Sequence, residues 1–121
     1  MRINWSALAA LAVVPLAGCS VAAPPALPGA DGSRGKATIS RFGCGSCHTI
    51  PGINSAIGRV GPPLTEIRDR SYIAGMLPNS EANLERWIHD PKGVNPHTAM
   101  PTLGLTDRDA ADIAAYLYSI P

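Results

Sequence analysis

Cys44-Gly45-Ser46-Cys47-His48 dictates the geometry of everything near it. Two cysteines separated by two residues, with histidine directly after the second, is the spacing that attaches a covalently held haem of the c type. The two thiols must reach the two vinyl groups on one edge of a porphyrin. The following imidazole is then brought beneath the ring, where it can bind the iron axially. Gly45 and Ser46 suit such a turn because it has no room for bulk. The competing readings are a redox dithiol, a zinc half-site and a chance match. A thioredoxin-like dithiol belongs in a strand–turn–helix context, which these flanks lack. A structural zinc site needs four ligands, and the only other cysteine is Cys19.

The chain has 121 residues, enough for one compact domain. Its formal charge of +1 suggests neither nucleic acid nor a polybasic membrane contact. Residues 1–18 read as a signal peptide: Arg2 gives a positive start, Leu8, Leu11, Val13, Val14 and Leu16 make it apolar, and small residues close it. The apolar run is shorter than the about 20 residues of a membrane span. Leu16-Ala17-Gly18-Cys19 is similar to a bacterial lipobox, which implies cleavage before Cys19 and lipid on its thiol. An ordinary secretory signal or an uncleaved anchor would also fit. Each places the remainder outside the cytoplasm, and the lipoprotein reading places it on the periplasmic side of a bacterial membrane. Residues 19–30, with Pro24, Pro25 and Pro28 among alanines, read as a semi-rigid linker.

The folded domain is expected over residues 31–121. Asp31 or Ser33 can cap a helix running to about Phe42, with Gly43 as its stop. Ile39 and Phe42 share a face, and Gly35 on the preceding turn suits close approach by another helix. Residues 49–63 form a loop rich in turn formers, and 65–69 a short helix. Ser80, with Asn83 three residues on, caps a helix ending at about His89, whose buried stripe is Leu84, Trp87 and Ile88. His89 lies off that stripe, and Pro91 ends the helix. Thr106 with Asp109 resembles a capping box for a last helix whose apolar stripe is Ile113, Tyr116, Leu117 and Ile120. That stripe has its natural partner in the first helix.

Residues 90–101 are expected to form the loop that offers a second axial ligand. Three prolines restrict the loop and lower the cost of ordering a thioether there. Met100 is the chosen ligand. Met1 would leave with the signal, and Met76 sits in a short Gly-Met-Leu-Pro turn. His97, three residues from Met100, is the serious competitor.

Taken in order, the haem motif, Gly61-Pro62, an aromatic-bearing helix with Trp87 that ends at Asp90-Pro91, Thr98-Ala99-Met100-Pro101 and a final amphipathic helix resemble a class I monohaem cytochrome c. The domains that serve or are fused to subunit II of bacterial haem–copper oxidases are especially similar. The resemblance implies an all-α fold, three or more helices wrapped on one covalent haem c. It implies that the Pro62 carbonyl receives the second ring N–H of His48, an arrangement that fixes a ligand's orientation and raises its basicity. Arg70 and Tyr72 match an Arg-X-Tyr element and, ahead of Arg59 and Arg68, are the candidates for the propionates. Trp87 and Thr98 are placed against the haem with them. The departures are Ile39, where many relatives carry an aromatic, and a short chain between the haem motif and Met100.

The expected function is one-electron transfer, with His48 and Met100 bound in both oxidation states. Expected partners are redox proteins, a haem–copper oxidase or a periplasmic dehydrogenase. An enzyme or sensor with a labile sixth ligand, or a fixed haem subunit of an oxidase or dehydrogenase, are the alternatives.

Overall fold

The computed structural model describes residues 26–121. The signal peptide, the lipobox with Cys19 and the first part of the linker lie outside the described residues. The architecture is all-α apart from one small hairpin. Helix α1 is Gly32–Phe42, α2 is Glu81–His89, α3 is Pro91–Val94 and α4 is Asp107–Ser119.

Each main helix starts where its side-chain chemistry places it. The Asp31 carboxylate accepts from the backbone N–H groups of Ser33 and Arg34 at 2.7 and 3.0 Å, so Asp31 and not Ser33 caps α1. Gly43, at φ +71°, closes it, with its N–H directed to the carbonyls of Ile39 and Ser40. Ser80 Oγ accepts from Asn83 N–H at the start of α2. At α4 the box is reciprocal: Thr106 Oγ1 accepts from Asp109 N–H, and Asp109 Oδ2 accepts from Thr106 N–H.

Helix α4 lies at the centre and packs against both α1 and α2. Ile113, Ala114 and Leu117 are at most 3% exposed, and Ile39 on α1 is 1% exposed. Ile120, at the end of the expected stripe, is half-buried. Gly35 is where α1 and α4 touch. A Cβ there would stand 1.9 Å from the Asp112 carbonyl oxygen, so only glycine allows the approach. Beside it the Arg34 guanidinium grips the buried Asp112 carboxylate through Nε at 2.7 Å and its terminal nitrogen at 2.9 Å.

Three local elements differ from expectation. The loop over 90–101 begins with a helical turn, α3. Pro91 does stop α2, but it also opens α3 at a position where its missing N–H costs nothing, and Asp90 caps that turn through Gly93 N–H. The short helix expected over 65–69 is a single 3-10 turn, Ile67–Asp69. Between it and α2, strands β1 (Tyr72–Ile73) and β2 (Leu77–Pro78) pair antiparallel. Their connection uses two left-handed residues in succession, Ala74 at φ +52° and Gly75 at φ +67°. This matches the primed turns of hairpins, but Ala-Gly lacks their usual Asn-Gly signature.

Residues 26–30, expected as the end of a linker, form a strap bonded to the helices. Leu27 N–H donates to both Glu85 carboxylate oxygens, and Arg108 and Arg34 donate to the carbonyls of Pro28 and Gly29. Asp31 N–H continues the series onto Asp112. The strap and the α2 residues Ala82, Glu85 and His89 border one shallow hollow. The opposite face of α2, Leu84, Trp87 and Ile88, looks into the interior cavity described next.

Candidate functional site

The chain leaves α1 through Gly43 and immediately enters a 3-10 turn, Cys44–Ser46. Cys47 N–H and His48 N–H both return to the Cys44 carbonyl, at 3.2 and 3.0 Å. The turn is closed from behind. A Cβ on Gly45 would fall 2.6 Å from Ala56 Cα, and one on Gly58 would fall 2.5 Å from the Ser46 carbonyl. The bulk excluded at Gly45 is therefore excluded by the returning loop. Tyr116, donating to the Pro51 carbonyl at 2.8 Å, holds that loop onto α4.

Cys44, Cys47 and His48 line one side chain-walled cavity of about 510 Å³, well inside the range of about 300–1,000 Å³ for small-molecule and cofactor sites. Its walls are mainly apolar, from Ile39 and Phe42 on α1, Leu84 and Ile88 on α2, and Ile113 and Leu117 on α4. Every expected site residue in the described chain reaches it: Pro62, Arg70, Tyr72, Trp87, Thr98 and Met100 join the two cysteines and the histidine. Arg59, Arg68 and His97 do not line it.

The imidazole is oriented. His48 Nδ1 lies 2.7 Å from the Pro62 carbonyl oxygen. A carbonyl only accepts, so Nδ1 carries the proton and Nε2 keeps its lone pair for a metal. Gly61 lies flat against the ring, since a Cβ there would come within 2.3 Å of His48 Cε1. Gly61 N–H is itself tied to the Cys47 carbonyl at 2.8 Å.

Met100 comes from the other loop. Its N–H donates to Thr98 Oγ1 at 3.2 Å, and Lys92 donates to the Thr98 carbonyl. Thr98 therefore works as a brace for the methionine backbone as well as a wall. Arg70 has a similar double role: one terminal nitrogen donates to the carbonyls of Pro63 (2.6 Å) and Thr65 (2.9 Å). Two residues that sequence reasoning passed over, Asn79 and Tyr118, hold this segment from outside, and Lys92 was likewise unmarked. Their bonds end on main-chain carbonyls or on each other, which leaves no motif to read.

Cys44 and Cys47 are not joined in a disulfide, and burial pushes the Cys44 thiol up from its ordinary value. A zinc site finds no support here: no three His, Cys, Asp or Glu side chains converge as ligands among the described residues. Two thiols at this spacing, an imidazole with a fixed tautomer and an apolar chamber fit a covalently attached haem, and the Met100 thioether lies on the same wall. Residues 32–121 match the cytochrome c family. The chain belongs to the cytochrome c family. That membership implies covalently bound haem c and points to an electron-transfer protein.

Solved and sequenced relatives agree. Cytochrome cH from Methylobacterium extorquens superposes with a TM-score of 0.55 at 25% identity, over 74% of this chain and 98% of that one. Cytochrome c oxidase subunit 2 of Alkalihalophilus pseudofirmus is 33% identical over 89 residues, 73% of this chain. The same subunit of Bacillus sp. (strain PS3) is 36% identical over 81 residues, 64% of this chain. The match spans about a quarter of each subunit's length, 25% and 23%.

Proposed function

We propose that the domain carries single electrons through one haem c, with Cys44 and Cys47 as its thioether attachments and His48 and Met100 as axial ligands, in a bacterial respiratory chain. The observation that supports this most is the convergence of both thiols, the His48 ring and Met100 on one apolar cavity. When bound, the haem supplies a reversible one-electron change at iron. The protein's part is to keep the two ligands still. His48 is held by the Pro62 carbonyl and backed by Gly61, and Met100 is braced through Thr98. Ligands fixed in this way need little rearrangement on reduction, and a methionine in place of a second histidine raises the potential. His97 is exposed and off the cavity, which favours Met100 over its neighbour. Arg70 and Tyr72 on the wall remain the proposed propionate contacts, with Trp87 and Thr98 packed against the ring.

Val60 is 79% exposed and Tyr72 60%, and both line the cavity. They form an apolar rim suited to brief docking of a redox partner. The likeness to oxidase subunits supports a haem–copper oxidase in that role, with a periplasmic dehydrogenase as the other candidate. The same likeness favours one second reading, a haem subunit fixed permanently in an oxidase. Copurification through detergent separates a fixed subunit from a diffusing carrier. Lipid attachment at Cys19, on the periplasmic face, completes the proposal, and the mass of the mature N-terminal peptide tests it.

The test of ligation is the spectrum of oxidised holoprotein beside Met100→Ala. The parent should show the far-red band of an iron–thioether bond. The variant should lose it, bind cyanide and carbon monoxide readily, and have a lower potential. A parent without the band, already open to carbon monoxide, would overturn the carrier reading in favour of an enzyme or sensor.

A further inference from the structure

Asn79 sits just outside α2, half-buried, with no place in the haem motif or the ligand loop. Its amide nitrogen donates to the Arg70 carbonyl at 2.6 Å and the Ile67 carbonyl at 2.7 Å, with a longer approach to Arg68 at 3.3 Å. An amide has two hydrogens, so the two short bonds take both of them. Its oxygen accepts from the Tyr118 hydroxyl at the end of α4. Burial pushes that hydroxyl up from its ordinary value, which keeps it a donor. The amide's orientation follows from its partners, since carbonyls on one side only accept and the phenol on the other donates.

The segment held by Asn79 ends in Arg70, whose guanidinium donates to the Pro63 carbonyl. The neighbouring Pro62 carbonyl receives His48 Nδ1–H. Between those two carbonyls the Pro63 ring locks φ, so only the Pro63 ψ is left to turn, and pinning one carbonyl narrows where the other can point.

We infer that Asn79, oriented by Tyr118, is a positioning residue for the axial imidazole, acting through Arg70 and the Pro62-Pro63 carbonyls to set the strength of the His48 Nδ1–H bond and with it the reduction potential. The inference rests on His48 being an iron ligand, as proposed above. A strong bond to Nδ1–H makes the imidazole more basic and favours oxidised iron. Loosening it favours the reduced form.

Redox titration of holoprotein carrying Asn79→Ala, Tyr118→Phe and both together decides the matter. Asn79→Ala should raise the midpoint potential, by roughly fivefold in the reduction equilibrium constant, the scale of one lost hydrogen bond. Tyr118→Phe should move it the same way by less. The double variant should match Asn79→Ala, because Tyr118 acts only through Asn79. Unchanged potentials with lowered thermal stability would reduce Asn79 to a structural tie and overturn the inference. Additive shifts would overturn the chain of action. Should Asn79→Ala fail to give holoprotein, Tyr118→Phe, which removes one hydroxyl, carries the decision alone. Failure of the His48 assignment reads differently, as a holoprotein spectrum and midpoint potential that His48→Ala leaves unchanged.

Discussion

Gly61 shows how a residue without a side chain governs one that has chemistry. Its Cα lies so close to His48 that any Cβ would fall within 2.9 Å of three ring atoms. Gly61→Ala should therefore push the imidazole off the Pro62 carbonyl and cost about 1–3 kcal/mol, the usual penalty for overpacking. Guanidinium unfolding of the holoprotein measures this, and a midpoint equal to the parent's would show that the ring has room to move. At this scale the ligand set was legible because Cys44, Cys47, His48 and Met100 are types chosen for their atoms at fixed spacings. Asn79 was not legible. Its partners are three carbonyls and a distant phenol, and any residue type supplies a carbonyl.

The crossing of α1 and α4 concentrates the electrostatics of the fold on Asp112. The Arg34 guanidinium bonded to it holds its carboxyl below the usual range, and the Asp31 N–H adds to this. A depressed acid stabilises the fold above the ordinary aspartate range, and that contribution is lost as pH falls through the lowered value. Asp112→Asn should cost about 2 kcal/mol near neutrality, the scale of a bond to a charged group, and should flatten the acid side of the stability profile. Urea unfolding from neutral to acidic pH tests both, and a variant with the parent's acid dependence would place the titration elsewhere. Helix starts were readable because Asp31, Ser80 and Thr106 each bond within three residues of themselves. The hairpin was not, because Ala74 takes a left-handed conformation that nothing in its own chemistry announces. Pro91 was half-read: the same ring that stops one helix starts the next.

For the molecule as a whole, the cavity is too large for a chain this small to keep without its porphyrin. Without it the apolar side chains of α1, α2 and α4 that line the space face water, and each large one left uncovered forfeits about 1.5–3 kcal/mol. Net stabilities of small domains are only about 5–15 kcal/mol. Protein made without haem, or with Cys44→Ala and Cys47→Ala together, should lose most of its helical circular dichroism. A near-native helical signal in that material would contradict the expectation. The hydrophobic pattern of the sequence pointed to helices and to a shared core, but the size of the space among them appears only once Leu84, Ile113 and Ile39 are seen facing it from three directions.

The strap has a mechanical meaning. Its backbone groups at Leu27, Pro28 and Gly29 are gripped by side chains of α1, α2 and α4, on the far side of α2 from Trp87 and Ile88. Any pull arriving from residues before it is spread over three helices. The load enters through the helix frame rather than through the loops that carry His48 and Met100.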